Sequence, residues 1–287
     1  MLRAPLPDDL PSTFTVREAR AHGVRPGRLR AADLATPFAG VRLPTPLAHD
    51  RLAQLRALAQ LAPHAALSHQ TAATVWRLPL PSRLERDMNV HVTVPVGTDR
   101  MQRCGVVGHS SERVVVTHSS GLRVTDLGET WCDLATQLTF TQLVQAGDAL
   151  INREGWDLER LGAQVERARR RRGVRTLRAA LAMLRPGSRS PRESECRLLF
   201  DGWALPAPEL NADLFNASGW LACVDFLWRD RRVVAEYYGK VHGPTWQADL
   251  ARAALIEDEG YAVVVITDGD LGGRQARLRD RLVRLLT

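Results

Sequence analysis

Two carboxylates stand in stretches of sequence that are otherwise apolar. Asp225 lies in LACVDFLW and Glu236 lies in VVAEYY, and both stretches predict strands that are buried on two faces. If residues 229–232 form the loop of a hairpin, Trp228 faces Val233 and Asp225 faces Glu236. Two like charges that oppose each other across antiparallel strands are destabilising, and a divalent metal ion between them would compensate. A register change of one residue would separate the carboxylates and leave an ordinary surface hairpin.

The segments around this hairpin predict an α/β sandwich over residues 186–287. A boundary segment, PGSRSP, precedes the first helix, and a loop with Pro206 and Pro208 follows that helix. The predicted elements, in the order helix, strand, strand, helix, strand, helix, occupy 190–200, 221–228, 233–238, 246–259, 261–267 and 273–286. A strand–helix–strand step makes a right-handed crossover, so the last strand is expected to run parallel to the second.

Four short segments of this domain share their order and spacing with a known superfamily: 190–193 (SPRE), 224–226 (VDF), 236–242 (EYYGKVH) and 260–267 (GYAVVVIT). Over about residues 188–287 the chain resembles the PD-(D/E)xK nucleases, particularly their very-short-patch-repair-like branch, which implies a restriction-endonuclease-like α/β/α fold. By this resemblance Asp225 and Glu236 hold Mg²⁺ or Mn²⁺. Glu193 would lie at the edge of the site, and His242 would contact phosphate or water. The metal would activate water and stabilise charge on the phosphate under attack.

One position departs from the superfamily motif. Its members commonly carry lysine, or aspartate in the very-short-patch-like branch, two residues after the second carboxylate, where this chain has Tyr238. Lys240, the only lysine among the 39 basic residues, follows two positions later. If the strand continues through Gly239, alternation places Lys240 on the same face as Glu236 and Tyr238. It is therefore the candidate replacement in catalysis, since arginine does not reproduce a compact ammonium charge.

Glu193 admits a structural role beside the catalytic one. The order of Ser190, Pro191 and Glu193 predicts a capping box at the start of a helix. Ser190 would be the cap, Pro191 the first helical residue and Glu193 the third. Arg197 follows one turn later and is an expected ion-pair partner of Glu193. Arg252, on the next predicted helix, is interpreted as part of the polar face of that helix and as support for the site.

Residues 12–46 predict a small helical unit at the other end of the sequence. Thr15 is placed to cap a helix over 16–22, with Glu18 as its capping-box partner and Gly23 as the stop. This segment is the first helix of a candidate helix-turn-helix.

A second helix is expected from Pro26 to about Ala35, followed by a strand or wing over 38–43. A helix, a tight turn, an arginine-bearing helix and a wing form the layout of a winged helix-turn-helix, whose second helix enters the major groove. A helical hairpin with solvated arginines fits the same sequence. The candidate DNA-binding residues are Arg25, Arg28, Arg30 and Arg42.

The N-terminal region also resembles a known group of regulators. The matching segments are 14–24 (FTVREARAHGV), the pair Arg28 and Leu29, and 67–73 (LSHQTAA). They are similar to AbiEi-type antitoxins of type IV toxin–antitoxin systems, over roughly the first 180 residues. The resemblance implies that residues 1–46 form a winged helix that binds double-stranded DNA and that residues 47–185 form a mixed α/β middle domain.

The middle region predicts strands at 90–94 and 113–117 and a helix over 157–168. No metal site is assigned to its histidines, because they lack metal-ligand spacing and are interpreted as structural. They are His69, His91, His109 and His118. Residues 167–178 carry seven arginines, which predict a solvated helix end or, alternatively, a contact with the DNA backbone.

Composition restricts the class of protein. Hydrophobic residues make up 45% and charged residues 25% of the sequence, which is typical of a folded chain. A net charge of +7 agrees with a nucleic-acid partner. No apolar run approaches the roughly 18 residues of a membrane span and no signal peptide is recognised, so a cytoplasmic protein with no membrane partner is expected. The four cysteines are too widely spaced for a zinc or disulfide framework.

Two functions follow from these patterns. The first is a metal-dependent endonuclease that binds duplex DNA and hydrolyses a phosphodiester bond at the site of Asp225 and Glu236. The second keeps the same α+β architecture without the chemistry: a transcriptional autoregulator or antitoxin whose nuclease-like domain has lost activity through Tyr238. A homodimer is compatible with both functions, and a cognate toxin is a partner under the second.

Overall fold

The computed structural model describes residues 4–112, 114–153, 155–239 and 246–287. The chain forms two compact units, one that runs to Leu134 and one that begins at Ala135. Both combine helices with sheets, so the expected α+β class is confirmed. The finer division at residues 46 and 185 stays a prediction. Within the described ranges no helix combines the length and apolar character that crossing a bilayer requires.

The first unit contains a three-stranded sheet and a six-stranded sheet. Its elements are β1 (Phe14–Thr15), α1 (Val16–Ala21), β2 (Leu34–Ala35), β3 (Val41–Pro44), α2 (Arg51–Leu61), β4 (Ala66–Leu67), α3 (His69–Trp76), α4 (Ser82–Glu85), β5 (Val90–Pro95), β6 (Gln102–Arg103), β7 (Val106–Ser111), β8 (Val116–Ser119), β9 (Leu122–Thr125) and α5 (Leu127–Leu134). The strand orders are β1-β3-β2 and β6-β7-β5-β4-β9-β8.

The first predicted helix, α1, is confirmed together with its capping box. The Thr15 hydroxyl accepts a hydrogen bond from the Glu18 N–H at 3.1 Å, and the Thr15 N–H donates to the Glu18 carboxylate at 2.7 Å. Gly23 follows with φ +76°, a left-handed conformation that glycine adopts without strain. Two N–H groups at the helix start are therefore paired locally, which explains why so short a helix forms.

The prediction of a second helix from Pro26 to about Ala35 is wrong, because the structure has only one turn of 3₁₀ helix there, at Arg28–Arg30. Gly27 precedes this turn without a side-chain cap. The Leu29 carbonyl, which a continuing helix would use, instead accepts a hydrogen bond from Arg42 at 2.7 Å. The segment therefore bends towards β2, and the arginine-bearing recognition helix expected between Pro26 and Ala35 does not form.

The six-stranded sheet of the first unit is two-faced at β5, whose predicted position at 90–94 is confirmed. Val90, Val92 and Val94 pack in a core with residues of α2. The alternate positions, His91 and Thr93, point to the other face because strand side chains alternate. Both are buried polar residues, with 6% and 4% of their surface exposed.

The second unit carries its helices around a single four-stranded sheet. Its elements are α6 (Phe140–Ile151), α7 (Leu158–Arg167), α8 (Val174–Met183), α9 (Pro191–Gly202), β10 (Glu209–Asn216), β11 (Gly219–Trp228), β12 (Val233–Tyr237), α10 (Trp246–Asp258), β13 (Ala262–Ile266), α11 (Asp268–Leu271) and α12 (Gln275–Leu286). The sheet order is β10-β11-β12-β13, with β12 and β13 parallel and the other neighbours antiparallel. The predicted parallel crossover is confirmed.

Strand β10 was not expected from the sequence, which predicted a loop around Pro206 and Pro208. The strand begins directly after these prolines and pairs with β11 along most of its length. A period-two alternation of apolar residues marks it: Leu210, Ala212 and Leu214. That alternation was the available signal, and the prolines end before it starts.

Apolar side chains cover both faces of this sheet, so the layers are helix, sheet and helix. One face packs against α9 and α12 through Cys196, Phe200, Phe226, Ala235, Val264, Leu278 and Leu282. The other packs against α10 through Leu214, Val224, Leu227, Val234, Ile256 and Val263. Strands β11 and β12 are thus buried on both faces, as their composition predicted.

A buried ion pair joins α6 to α9. Arg197 donates to the Asp148 carboxylate at 2.9 Å, and the side chains are 4% and 1% exposed. The second Asp148 oxygen accepts the Arg185 N–H at 3.0 Å. The expected pairing of Arg197 with Glu193 is therefore wrong. Arg197 instead pairs with the Asp148 carboxylate between α6 and α9. This ion pair fixes the position of α9, whose first turn carries Glu193.

Replacement of Arg197 by methionine is expected to lower the free energy of unfolding by about 3–5 kcal/mol, because Asp148 is left charged and buried. Urea titration monitored by circular dichroism measures this. Arg178→Met is the matched control, since Arg178 pairs with Glu166 on the surface and both side chains are at least half exposed; a change below about 1 kcal/mol is expected there. Equal losses in the two variants would contradict this account.

Candidate functional site

The hairpin that carries the two predicted carboxylates has the register expected from sequence. Strands β11 and β12 pair Trp228 with Val233, Leu227 with Val234 and Phe226 with Ala235. The four residues between them form a turn of 3₁₀ helix that Arg232 closes in a left-handed conformation. Asp225 and Glu236 are the next residues on the two strands.

At Asp225 a side-chain hydrogen bond replaces the backbone hydrogen bonds that join β11 to β12. Its carboxylate accepts a hydrogen bond from the Tyr237 N–H at 2.9 Å. The regular pairs end one position earlier, at Phe226 and Ala235. The Asp225 carboxylate therefore lies where the β11–β12 ladder gives way, inside the domain but partly accessible.

Glu193, in the first turn of α9, is held by three polar neighbours. Its N–H donates to the Ser190 hydroxyl at 3.2 Å, which confirms Ser190 as the helix cap. Its carboxylate accepts from the Arg189 N–H at 2.8 Å and from the Asn211 amide at 2.7 Å. The Glu193 carboxylate thus binds Arg189, which precedes the cap, and Asn211 of β10. It does not complete the predicted capping box with Ser190.

Asn211 is a site residue that sequence reasoning missed. It has φ +46° inside β10, a left-handed conformation that asparagine tolerates better than most residues. Its amide bridges the Glu193 carboxylate and the Gly187 carbonyl, the latter at 2.8 Å. This irregular strand residue fixes the orientation of Glu193.

The charges of Glu193 and Glu236 both act on Asp225, and these three carboxylates are here called the acidic cluster. Burial raises the pKa of Asp225 to about 6. The Tyr237 N–H opposes this increase, while the charges of Glu193 and Glu236 add to it and that of Arg252 reduces it. The cluster therefore brings three acidic groups together at an energetic cost, as the sequence suggested for two of them.

Glu236 is the most buried member, with 2% of its surface exposed, and it already has a cation. Arg252 of α10 binds both carboxylate oxygens, at 2.7 and 2.9 Å. The Tyr238 hydroxyl donates to the same carboxylate at 3.1 Å. Tyr238 occupies the usual lysine position of the superfamily motif and thus contacts the carboxylate of Glu236 directly. The positive charge that was expected from a metal ion is supplied at Glu236 by Arg252.

Two predicted catalytic residues, Lys240 and His242, lie outside the described residues.

The four predicted DNA-binding arginines differ in their surroundings. Arg28 forms two hydrogen bonds with Asp33, at 3.0 and 2.8 Å, and Arg42 binds backbone carbonyls. Arg25 and Arg30 are exposed. Two of the four side chains are therefore bound within the unit, and the other two face solvent.

Three histidines that the sequence treated separately come together in the first unit. Their ligand atoms lie within 4.8 Å of one another, and among the described residues this is the group of three or more histidine, cysteine or acidic side chains whose ligand atoms approach so closely. Nδ1 of His91 and Nε2 of His109 are 2.9 Å apart, and the rings of His69 and His109 stack with centroids 3.8 Å apart. We call His69, His91 and His109 the histidine cluster.

The environment of His91 and His109 favours their uncharged rings. Burial lowers the pKa of His91 to about 4, with His109 adding to the decrease and Asp87 opposing it. Burial and the charge of Arg100 lower the pKa of His109. His69 has φ +52°, a strained value for a residue with a side chain, which costs about 1–3 kcal/mol. The backbone conformation that places the His69 ring beside the other two therefore lowers the stability of the fold.

Comparison with known proteins gives a limited result. No family model matches the chain. Two proteins of Mycobacterium tuberculosis, from strains CDC 1551 / Oshkosh and ATCC 25618 / H37Rv, are each 27% identical to it over 245 residues, which is 83% of this chain and 87% of the relative. Both are described as uncharacterized proteins. Because 245 residues exceed the length of either compact unit, the similarity extends over both units.

Asp225→Asn is expected to stabilise the chelator-treated protein in a pH-dependent way. The folded pKa of about 6 exceeds the ordinary 3.8, so folded Asp225 holds its proton more tightly and the fold loses stability as pH rises from about 4 to 6. Asparagine removes this loss. The variant's advantage in unfolding free energy should grow over that range to the order of 1–3 kcal/mol.

Denaturant titrations at pH 4, 5, 6 and 7 with excess EDTA measure the advantage. Asp230→Asn, in the exposed turn between β11 and β12, controls for loss of one negative charge. An advantage for Asp225→Asn that does not change with pH would count against a raised pKa at this position.

Proposed function

We propose that the chain is a cytoplasmic DNA-binding protein in which residues 186–287, within the second unit, form a metal-dependent endonuclease domain that hydrolyses phosphodiester bonds in double-stranded DNA. The observation that carries the proposal is the acidic cluster at the point where β11 and β12 diverge. Asp225 is partly buried with two further carboxylates nearby, and burial and these charges raise its pKa. Strongly shifted pKa values cluster at functional sites.

The architecture supports the restriction-endonuclease-like resemblance. The second unit has the α/β/α layering that the resemblance implies, and its motif residues fall on the expected elements: Glu193 at the start of α9, Asp225 on β11 and Glu236 on β12. The parallel strand β13 then follows a helix on the opposite face of the sheet from α9. Residues far apart in sequence thus come together where the regular pairing of the central strands β11 and β12 ends.

The donor set of the acidic cluster suits Mg²⁺ or Mn²⁺, which prefer carboxylate oxygens. Asp225 feels the negative charges of Glu193 and Glu236 and the positive charge of Arg252, so ionisation of all three carboxylates leaves an excess of negative charge over that of Arg252. Asp225 and Glu236 would hold the metal, which would supply charge neutralisation and a more acidic water molecule. Tyr237 keeps Asp225 oriented through its N–H, and Asn211 does the same for Glu193 through its amide.

Exposed arginines provide candidate contacts to the phosphate backbone. The turn between α7 and α8 presents Arg169, Arg170 and Arg172 to solvent, and Arg25 and Arg30 are exposed in the first unit. Guanidinium groups bind phosphates through paired N–H donors without reading sequence. These residues support DNA affinity in the absence of the expected recognition helix.

A second function has its own observation. Arg252 and Tyr238 bind both oxygens of Glu236, so the second carboxylate is neutralised by protein groups. A domain stabilised in this way would bind DNA without cleaving it, as a transcriptional autoregulator or as an antitoxin with a cognate toxin. The two functions differ in a single measurable property, which is cleavage.

The full-length protein is expected to nick supercoiled plasmid or mismatched duplex in Mg²⁺ or Mn²⁺ and to lose this activity in EDTA. Asp225→Ala should reduce the rate at least about 100-fold, because it removes a proposed metal ligand. Asp230→Ala, in the adjacent exposed turn, is the matched control and should cleave normally. Circular dichroism verifies that both variants fold.

Cleavage that survives Asp225→Ala would refute the assigned site. DNA binding in a gel shift, without cleavage in any divalent metal, would favour the regulator. A protein with no affinity for DNA even at low salt would refute both functions.

Replacement of Arg169, Arg170 and Arg172 by glutamine is expected to weaken DNA binding at low salt. It should also flatten the slope of log affinity against log salt by up to about 0.9 for each phosphate that is no longer neutralised. Fluorescence anisotropy at several salt concentrations measures the slope. The control replaces three exposed arginines of α12, Arg277, Arg279 and Arg284. An identical change in both triple variants would show a general charge effect and no local contact.

A further inference from the structure

We propose that the histidine cluster in the first unit is a binding site for one divalent transition-metal ion of the zinc type. His69 comes from the start of α3, His91 from β5 and His109 from β7, and their ligand atoms lie within 4.8 Å of one another. The site does not depend on the proposed nuclease function, because it lies in the other compact unit and uses nitrogen ligands.

The ligand type determines which ions would bind. Imidazole nitrogens suit Zn²⁺, Co²⁺, Ni²⁺ and Cu²⁺, whereas Mg²⁺ and Ca²⁺ prefer oxygen. Three histidines with a fourth position for water or another ligand form a known tetrahedral zinc arrangement. Nδ1 of His91 and Nε2 of His109 are already 2.9 Å apart, so small ring movements would bring both nitrogens to coordination distance.

Polar partners orient the outer sides of two rings. Nδ1 of His69 lies 3.0 Å from the Ser68 hydroxyl and 3.8 Å from a carboxylate oxygen of Asp133. Nε2 of His91 lies 2.7 Å from the amide nitrogen of Gln70, which also donates to Asp87 at 2.9 Å. A metal-bound histidine typically donates its second ring N–H to a carboxylate or another acceptor, as Nδ1 of His69 can do to Ser68 or Asp133. At His91 the amide nitrogen of Gln70 is a donor, so coordination through Nδ1 requires the Gln70 amide to turn its oxygen towards Nε2.

Thr93 gives an independent indication of a ligand. Its hydroxyl is buried and has no hydrogen-bond partner among the residues that the structure describes. Thr93 pairs with His109 across β5 and β7 and lies two residues from His91, so all three share one face of the sheet. A buried hydroxyl without a partner is costly, and a water molecule in the fourth metal position would satisfy it.

A metal ion at this position would join three elements that are far apart in sequence. Helix α3 already contacts β5 here, since the His91 N–H donates to the Thr71 hydroxyl at 2.9 Å. Coordination by His69 and His109 would tie α3 to β7 as well. Binding to the folded state alone raises stability, so the ion would stabilise the first unit.

Metal binding is tested on the untagged full-length protein after dialysis against chelator. Isothermal titration calorimetry with Zn²⁺ in excess Mg²⁺ should show one tight equivalent, and the melting temperature should rise. His91→Gln and His109→Gln should each reduce the affinity at least about 100-fold and abolish the thermal shift, since each removes a ligand. His118→Gln is the matched control, because His118 is an exposed histidine on β8 of the same sheet.

X-ray absorption of the zinc-loaded wild-type protein provides a test that needs no variant. Imidazole scattering from about three nitrogen ligands near 2.0 Å is expected. A shell made of oxygen alone, the absence of a tight equivalent, or full binding in both His91→Gln and His109→Gln would refute the proposal. If those two variants fail to fold, the absorption spectrum of the wild-type protein still decides it.

Discussion

The second unit depends on how it accommodates acidic groups next to an apolar sheet. An ionised carboxylate is costly to bury, and each one here is matched by specific donors. Asp148 has Arg197 and the Arg185 N–H, Glu236 has Arg252 and Tyr238, and Glu193 has Asn211 and the Arg189 N–H. Asp225 has one N–H donor and two acidic neighbours, and burial, with the charges of those neighbours, raises its pKa to about 6.

These pairings also explain how the elements are placed. The Asp148–Arg197 ion pair holds α9 to α6, and α9 presents Glu193 at its first turn. The Glu236–Arg252 ion pair holds α10 to β12 on the opposite face of the sheet. Charged contacts on both faces thus position the acidic cluster, while the apolar cores give the layers most of their stability.

Sequence reasoning succeeded where local pattern determines structure. The apolar stretches around Asp225 and Glu236 and the short turn between them fix the hairpin register, because a slip of one residue would turn every core side chain to the other face. It failed between Pro26 and Ala35, where the Arg42 bond to the Leu29 carbonyl is a tertiary contact that no local pattern reveals. The role of Arg252 was anticipated only as support, since its fork on Glu236 depends on how α10 packs.

The proximity of the three histidines in the histidine cluster was not predicted for a different reason. Metal-ligand spacing is a signal for ligands on one helix or loop, whereas these three histidines come from a helix start and two parallel strands. The alternation Val90, His91, Val92, Thr93 was the signal available, because it places polar residues on one face of a strand whose other face is core. Buried polar residues in such positions need partners. The two units therefore meet the same physical requirement with different chemistry: nitrogen donors gathered by sheet pairing in one, carboxylates balanced by arginines in the other.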